Sequence, residues 1–172
     1  MAVANKARRQ WGRGLGVGMS LLWLLGACLA TANEKIIIGA VEDVMLLPWG
    51  IRLPSRIDTG AATSSLDVRG LTLYKDHAEF WVPDFAGGRH MRLPVSRWEY
   101  VRSPAGEEVR PVVEVDLCLG TSHIRTLVNL HDRSKMTYPL LIGRNILSQG
   151  YVVDVSRELT FPPQCVNPRR SP

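Results

Sequence analysis

The sequence predicts an all-β domain, and three observations support this prediction. Short apolar segments with a two-residue alternation recur from residue 36 to residue 155. The chain also holds 15 Gly and 11 Pro, residues that mark the turns between such segments. Only residues 144–149 have the spacing of a short helix, with Ile146 and Leu147 on its inner face. We therefore expect short strands with one short helix near the C-terminus.

Each predicted strand is an apolar or alternating run that ends at a turn signal. The turn at residues 48–50 separates the second run from the third, and Gly88 marks a hairpin between the fourth and fifth. The clearest hairpin turns at Gly120, with alternating apolar and polar side chains on both sides. The predicted strands are 35–40, 41–47, 51–57, 80–82, 90–95, 113–119, 124–130, 139–142 and 151–155.

The formal net charge of +5 comes mostly from the N-terminus. Residues 1–32 hold four basic side chains and no acidic one, so the remainder has 17 basic against 16 acidic side chains, a net charge of +1. A nearly neutral domain lacks the basic surface that phosphate recognition requires. We expect no nucleic-acid partner.

Residues 1–32 are typical of an export signal, in which a basic region through Arg13 precedes an apolar run. That run is shorter than the roughly 20 apolar residues that span a bilayer. Cleavage after residues 30–32 (A-T-A) would release a soluble chain that begins at Asn33. Alternatively, residues 25–28 (L-G-A-C) resemble a lipobox, which would leave Cys28 as the lipid anchor. An uncleaved anchor is a third alternative, and all three predict the periplasm.

The exported part is predicted to be one domain over residues 33–161, followed by an irregular, proline-rich tail over residues 162–172. An oxidising compartment permits a disulfide. After signal removal, Cys118 and Cys165 are the two cysteines that could form it. Because Cys118 falls on the polar face of its predicted hairpin, the pairing stays open.

The candidate chemistry is concentrated at a D-T-G motif, where Asp58, Thr59 and Gly60 follow an apolar strand. Alone, such a tripeptide is an ordinary turn. A second apolar strand, residues 139–147 with the sequence P-L-L-I-G-R-N-I-L, follows later in the chain. Common metal, phosphate-loop and serine-hydrolase motifs are absent, and the four histidines lie in separate segments. We therefore expect no metal site and no cofactor.

Together these segments resemble the retropepsin-like aspartic proteases. The sequence is most similar to a bacterial branch often labelled ATP-dependent zinc proteases. The shared patterns are I-D-T-G-A-x-T-S-x-L at 57–66, D-R-S at 132–134 and Y-P-L-L-I-G-R at 138–144. The resemblance covers residues 36–155 and implies an acid-protease β-barrel. The zinc and ATP of the label receive no support from these residues.

The resemblance also implies hydrolysis of peptide bonds by two aspartates that share one proton. One carboxylate activates a water while the other, still protonated, donates to the scissile carbonyl. Because the chain has a single D-T-G, the second carboxylate is expected from a twofold partner, with Asp58 facing Asp58. Thr59 would hydrogen-bond across the axis, and Gly60 would let the backbone approach the water.

Substrate contacts are implied at the floor of the cleft and in a hairpin flap over residues 100–110. The implied residues are Ala61 and Thr63 on the floor, Ser103, Pro104, Ala105 and Gly106 at the flap tip, and Ile142 in the later strand.

Two features depart from the viral retropepsins. Those proteins have an Asp shortly after D-T-G-A that pairs with the Arg of the Gly-Arg step, whereas Ala62 and Thr63 stand here. Arg144 thus needs another partner, for which the sequence offers Asp67, Asp132 and Asp154. Residues 67–99 are also longer than in a minimal retropepsin, which implies an extra hairpin.

The leading hypothesis is an exported, homodimeric aspartic endopeptidase acting on peptides or proteins. A non-catalytic periplasmic binding module on the same fold would keep the strands and the dimer but lose the carboxylate pair. A metal-dependent hydrolase, as the family label suggests, is the third hypothesis.

Overall fold

The computed structural model describes residues 34–83, 88–103 and 106–165, which form eleven strands and one short helix. In chain order these are β1 (Ile36–Gly39), β2 (Val41–Leu47), β3 (Ile51–Ile57), β4 (Ser64–Asp67), β5 (Arg69–Leu73), β6 (His77–Val82), β7 (Arg89–Ser103), β8 (Gly106–Leu119), β9 (Ser122–His131), β10 (Leu140–Ile142), α1 (Arg144–Leu147) and β11 (Tyr151–Asp154).

Six strands close into a barrel in the order β2-β3-β10-β4-β9-β8, and β2 pairs with β8 to complete it. Closure leaves none of these six with an open edge on the barrel. The interior is apolar because inward positions alternate with outward ones. In β8, Val113, Val115 and Leu117 are buried while Glu114 is exposed. The predicted all-β barrel with one short helix is confirmed.

The sheet continues beyond the barrel from β8 through β7 and β6 to β5. The strands β5 and β6 are the extra hairpin that the length of residues 67–99 implied. A separate two-stranded parallel sheet joins β1 to β11. Beyond the barrel, β7 and β8 run on together as a ribbon that ends where Ser103 pairs with Gly106. We call the described residues 97–103 and 106–110 the arm.

The segment after β11 packs back on the barrel. The fully buried carboxylate of Glu42 accepts hydrogen bonds from the Gly39 amide (2.6 Å), the Thr160 hydroxyl (2.6 Å) and the Phe161 amide (2.9 Å). The Phe161 ring lies over Gly120, where a Cβ would stand 1.7 Å from a ring carbon. Only glycine can occupy that turn, because its φ of +58° also lies in the left-handed region.

Cys118 and Cys165 form a disulfide, which fastens this segment to the end of β8. Cys118 is fully buried, although the alternation of β8 placed it on the polar face. That expectation was wrong because the segment around Cys165 covers the outer face of the hairpin there, and alternation within a strand does not report such a cover.

Several predictions concern residues outside the described ranges. They are the export signal with its Cys28 anchor, the prediction that Pro104 and Ala105 contact substrate at a flap tip, and the end of the tail from residue 166. Within the described ranges, no helix has the length and apolar character needed to cross a membrane.

Candidate active site

Asp58 lies at the end of β3, where the chain leaves the barrel and turns. Its amide donates to the Ile142 carbonyl of β10 (2.9 Å). Its Oδ1 accepts from the amides of Gly60 (2.8 Å) and Ala61 (3.2 Å). The loop backbone therefore fixes the carboxylate, and Oδ2 has no hydrogen-bond partner among the described residues. A carboxylate held in this way presents one oxygen to a reactant.

The start of α1 holds this loop from the other side. The Arg144 guanidinium donates from Nη1 to the carbonyls of Thr59 (2.9 Å) and Gly60 (2.6 Å). The Arg144 amide also donates to the Ala61 carbonyl (2.9 Å). Arg144 therefore binds the D-T-G backbone directly, and no carboxylate is needed.

The three carboxylates considered as partners of Arg144 lie elsewhere. Asp67 accepts from the Arg133 amide (2.6 Å) and from Arg69, and Asp132 also pairs with Arg69 (3.0 Å). Asp154 caps the turn at Ser156 (2.6 Å). The expectation that one of them replaces the missing retropepsin Asp was wrong, because backbone carbonyls occupy that role.

Below the loop, Asn145 and Ser64 form a buried polar joint. Asn145 Oδ1 accepts from the Ser64 amide and hydroxyl (both 2.9 Å), and its Nδ2 donates to the Thr126 hydroxyl (3.0 Å) and the Leu127 carbonyl (2.9 Å). Gly143 lies so close that a Cβ would stand 2.8 Å from the Thr63 carbonyl carbon. The floor of the site is therefore rigid, and Gly143 is required for the close approach.

Asp58 borders a cleft of about 500 Å³ between the D-T-G loop, the arm and the barrel. The lining residues are Asp58, Gly60, Ala61, Ala62 and Thr63 from the loop, Glu99, Tyr100, Val101, Arg102 and Arg110 from the arm, and Ser65, Asn129, Arg133, Met136 and Leu141 from the barrel side.

Two arginines of this cleft are nearly buried. Arg110 is 8% exposed and Arg133 is 6% exposed. Burial, together with the positive charge of Arg110, lowers the pKa of the Arg133 guanidinium against the opposing effect of Asp67 and Asp58. Arg110 Nε and the Ser65 hydroxyl are buried without a partner in the described part of the chain. Such groups gain stability from a ligand that accepts hydrogen bonds.

The arm contributes a carboxylate, Glu99, whose two oxygens already accept hydrogen bonds within the protein. Glu99 Oε1 accepts from the Thr63 hydroxyl (2.5 Å) and Oε2 accepts from Asn129 Nδ2 (3.3 Å). On the same face of the arm, two residues before Arg110, Glu108 contacts Arg110 (3.0 Å) and His131 (3.0 Å). Burial alone would raise the pKa of Glu108, but Arg110 and His131 lower it below its ordinary value.

The structure brings four of the predicted site residues together at the cleft. Asp58, Gly60, Ala61 and Thr63 line the cleft, and Thr59 is exposed at the loop tip. Of the predicted flap tip, the described parts are the backbone pairing of Ser103 with Gly106, and Gly106 itself, which is exposed.

Ile142 was predicted to contact substrate, and the structure contradicts this. Its side chain is 0% exposed and belongs to the core, whereas its neighbour Leu141 lines the cleft. Successive side chains of a strand point to opposite faces, so the cleft face of β10 belongs to Leu141.

Sequence reasoning missed Glu99, Arg110, Asn129 and Arg133. Two signals could have found three of them. A hairpin tip between residues 103 and 106 places Glu99 directly opposite Arg110, as observed. Arg133 lies within the D-R-S pattern at 132–134, which was noted only as a family likeness. For Asn129 the sequence carries no local signal. Among the residues that the structure describes, no group of three or more His, Cys, Asp or Glu could hold a metal ion.

Comparison with known proteins identifies a family. A family model described as "RimB-like: Retropepsin-like aspartic endopeptidase RimB" matches residues 37–164. The solved structure of protein Lpg0085 from Legionella pneumophila, described as having unknown function (DUF785), is 30% identical with a TM-score of 0.63. That likeness covers 75% of this chain and 98% of the Legionella chain.

Two curated relatives carry a different name. Proteins named probable alpha-L-glutamate ligase from Shewanella pealeana and Parasynechococcus marenigrum are 29% and 31% identical to this chain. The matches cover 73% and 71% of this chain but only 30% and 28% of the relatives. This chain therefore matches less than a third of the length of each of these two proteins.

We predict that Arg144→Met loosens the D-T-G loop. The change removes a charged donor from two loop carbonyls but leaves the aliphatic stem. At this exposed position we expect a loss of about 1 kcal/mol, which corresponds to roughly fivefold faster amide exchange of residues 58–61. Hydrogen exchange read by mass spectrometry measures the effect.

The matched control is Arg125→Met. Arg125 is also exposed and donates twice, but to Asp116 on the outer face of β8. This variant should leave exchange of residues 58–61 unchanged. Equal exchange in both variants and the wild type would show that Arg144 does not hold the loop.

Proposed function

The chain belongs to the RimB-like family of retropepsin-like aspartic endopeptidases, and from that premise we propose that it hydrolyses peptide bonds with paired Asp58 carboxylates in a homodimer. The observation that carries the proposal is the Asp58 carboxylate itself. Loop amides and Arg144 fix its position on the wall of a cleft, with Oδ2 directed to no described residue.

The need for a second carboxylate supports the dimer. Glu99 is the other acidic side chain on the described cleft lining, and both of its oxygens accept hydrogen bonds from Thr63 and Asn129. It is therefore poorly placed to share a proton with Asp58. Asp67, Asp132 and Asp154, the candidates for a monomeric enzyme, are not on that lining. A twofold copy of the exposed D-T-G loop supplies the missing group.

In this dimer the two carboxylates hold one proton between them. The ionised Asp58 takes a proton from water as the water oxygen bonds to the scissile carbonyl carbon. The protonated Asp58 of the twofold copy donates its proton to the carbonyl oxygen. One hydroxyl of the tetrahedral intermediate then returns its proton to the ionised Asp58 of the twofold copy as the carbonyl re-forms and the C–N bond breaks. The first Asp58 gives the proton that it took from water to the leaving nitrogen. Two Asp58 residues thus serve as base and acid without a metal.

We also propose that the substrate is acidic, with glutamate as the favoured side chain. Arg110 and Arg133 place two nearly buried positive charges in the cleft, and Arg110 Nε and the Ser65 hydroxyl lack partners among the described residues. A carboxylate is the group that satisfies guanidinium donors best. The curated relatives named as glutamate ligases are consistent with a glutamate-containing substrate.

Export to the periplasm is part of the same proposal. The order of basic, apolar and small residues over residues 1–32 is that of a signal sequence. The Cys118–Cys165 disulfide supports it, because disulfides persist in the periplasm and are rare in the cytosol.

We predict that Asp58→Asn abolishes peptide cleavage, with a loss of roughly 10²–10⁴-fold because the amide cannot act as base. When equal amounts of wild type and variant exchange subunits, only about a quarter of the dimers keep two carboxylates. Measured with a fluorogenic peptide, the activity of the mixture should fall to about a quarter of that of the same total amount of wild-type protein. A fall to one half would indicate an active monomer, and normal turnover by the variant would exclude the aspartic mechanism.

We predict a preference for Glu over Gln in otherwise identical peptides. Charge-assisted hydrogen bonds to buried arginines are worth about 1.5–3 kcal/mol, so kcat/KM should differ by roughly 10–100-fold. A Lys peptide should be poorer still, because it meets like charge. Equal cleavage of the Glu and Gln peptides would contradict the acidic specificity and leave the hydrolytic mechanism intact.

We predict that the mature N-terminus is either Asn33 or an acylated Cys28. Intact-mass spectrometry of the protein from its native host distinguishes the soluble form from the lipid-anchored form. A chain that retains Met1 in the cytosolic fraction would refute export.

A further inference from the structure

The arm is poorly supported by backbone pairing. Within the described residues, β8 pairs with β9 only from Val112 onwards, and β7 pairs with β6 only as far as Pro94. Residues 99–103 therefore pair with residues 106–110, Arg97 and Trp98 pair with Val112 and Pro111, and none of these described arm residues pairs with a third strand. An isolated two-stranded ribbon is marginally stable in water. Side-chain contacts must therefore determine where the arm lies relative to the cleft.

The contacts that hold the root of the arm start from three charged side chains, Glu99, Glu108 and Arg110. Glu99 binds Thr63 and Asn129, Arg110 binds Asn129 (3.4 Å), and Glu108 binds His131 (3.0 Å). Among these, the contact between Glu99 and Thr63 is the one that reaches the loop carrying Asp58.

Glu99 and Arg110 are directly opposite in the ladder, yet they form no ion pair with each other. Instead they share Asn129, whose Oδ1 accepts from Arg110 Nη1 and whose Nδ2 donates to Glu99 Oε2. The Glu99 carboxylate thus fixes the orientation of the Asn129 amide, and that amide helps to orient Arg110 in the cleft.

We infer that Glu99 is a positioning residue, which ties the root of the arm to the D-T-G loop through Thr63 and orients Arg110 through Asn129. This inference rests on the proposed function, since it assigns Glu99 a role in the same cleft. Glu99 does not act on the reacting atoms, because both of its oxygens are occupied by these two donors.

The test compares Glu99→Ala, Glu99→Gln and Thr63→Val in the full-length protein. The first readout is amide exchange of residues 97–103 and 106–110, which needs no enzymatic activity. Glu99→Ala and Thr63→Val should each accelerate it about fivefold to tenfold, since each removes a hydrogen bond to a charged group. Glu99→Gln keeps an acceptor for the Thr63 hydroxyl and should give a smaller increase.

The second readout is the kinetics on the Glu and Gln peptides. Glu99→Ala should raise KM for the Glu peptide more than it lowers kcat, because Arg110 loses its orientation while Asp58 keeps its own. The double variant with Thr63→Val should exchange no faster than Glu99→Ala, because both changes remove the same bond.

The matched control is Glu114→Ala. Glu114 is an exposed glutamate of β8 that pairs with exposed Arg125 (3.6 Å), outside both the arm and the lining of the cleft. This variant should change neither readout. If Glu99→Ala exchanged no faster than this control, or if exchange rose with kcat and KM unchanged, the inference would be overturned. Faster exchange in a protein that cleaves no peptide would instead contradict the proposed function.

Discussion

The site depends on the hydrogen bonds of one side chain, Asn145. Its amide has two acceptor and two donor positions, and described partners fill all four: the Ser64 amide, the Ser64 hydroxyl, the Thr126 hydroxyl and the Leu127 carbonyl. Three elements that are remote in sequence, β4, β9 and α1, therefore meet at a single planar group. The D-T-G loop lies between β3 and β4, so this joint fixes where the loop returns to the barrel.

Hydrogen bonds to the loop backbone connect this rigid floor to Asp58. Asp58 donates to β10 at one end of the loop, and Arg144 binds the loop carbonyls from the start of α1. Because β10 lies between β3 and β4 in the sheet, the strands at both ends of the loop are paired with the same strand. A carboxylate on such a loop loses little entropy when a reactant binds, which is the advantage of a preorganised group.

The sequence was sufficient wherever local pattern carries the information. The strand before Asp58 and the hairpins at Gly88 and Gly120 all follow from alternation and turn residues. It was insufficient where partners are remote or patterns ambiguous. In a run of three apolar residues such as 140–142, alternation cannot tell which face meets the cleft, so Ile142 was chosen where Leu141 lies there. The burial of Cys118 and the carbonyl partners of Arg144 depend on segments more than 40 residues away.

The floor and the arm of the cleft are held by different kinds of interaction. Neutral hydrogen bonds hold the floor, whereas contacts of charged side chains hold the arm. Neutral amide and hydroxyl groups buried around Asn145 hold the floor, so dissolved ions screen its bonds little. The arm is attached through the charged side chains of Glu99, Arg110 and Glu108. Because Glu99 is half-buried and Glu108 is exposed, salt screens these charged contacts more than the neutral contacts of the floor. A substrate that brings a carboxylate toward Arg110 enters that same network of charges. In the proposed reaction, substrate binding therefore adjusts the arm while Asp58 stays fixed, because no charged contact of the described arm residues ends on Asp58.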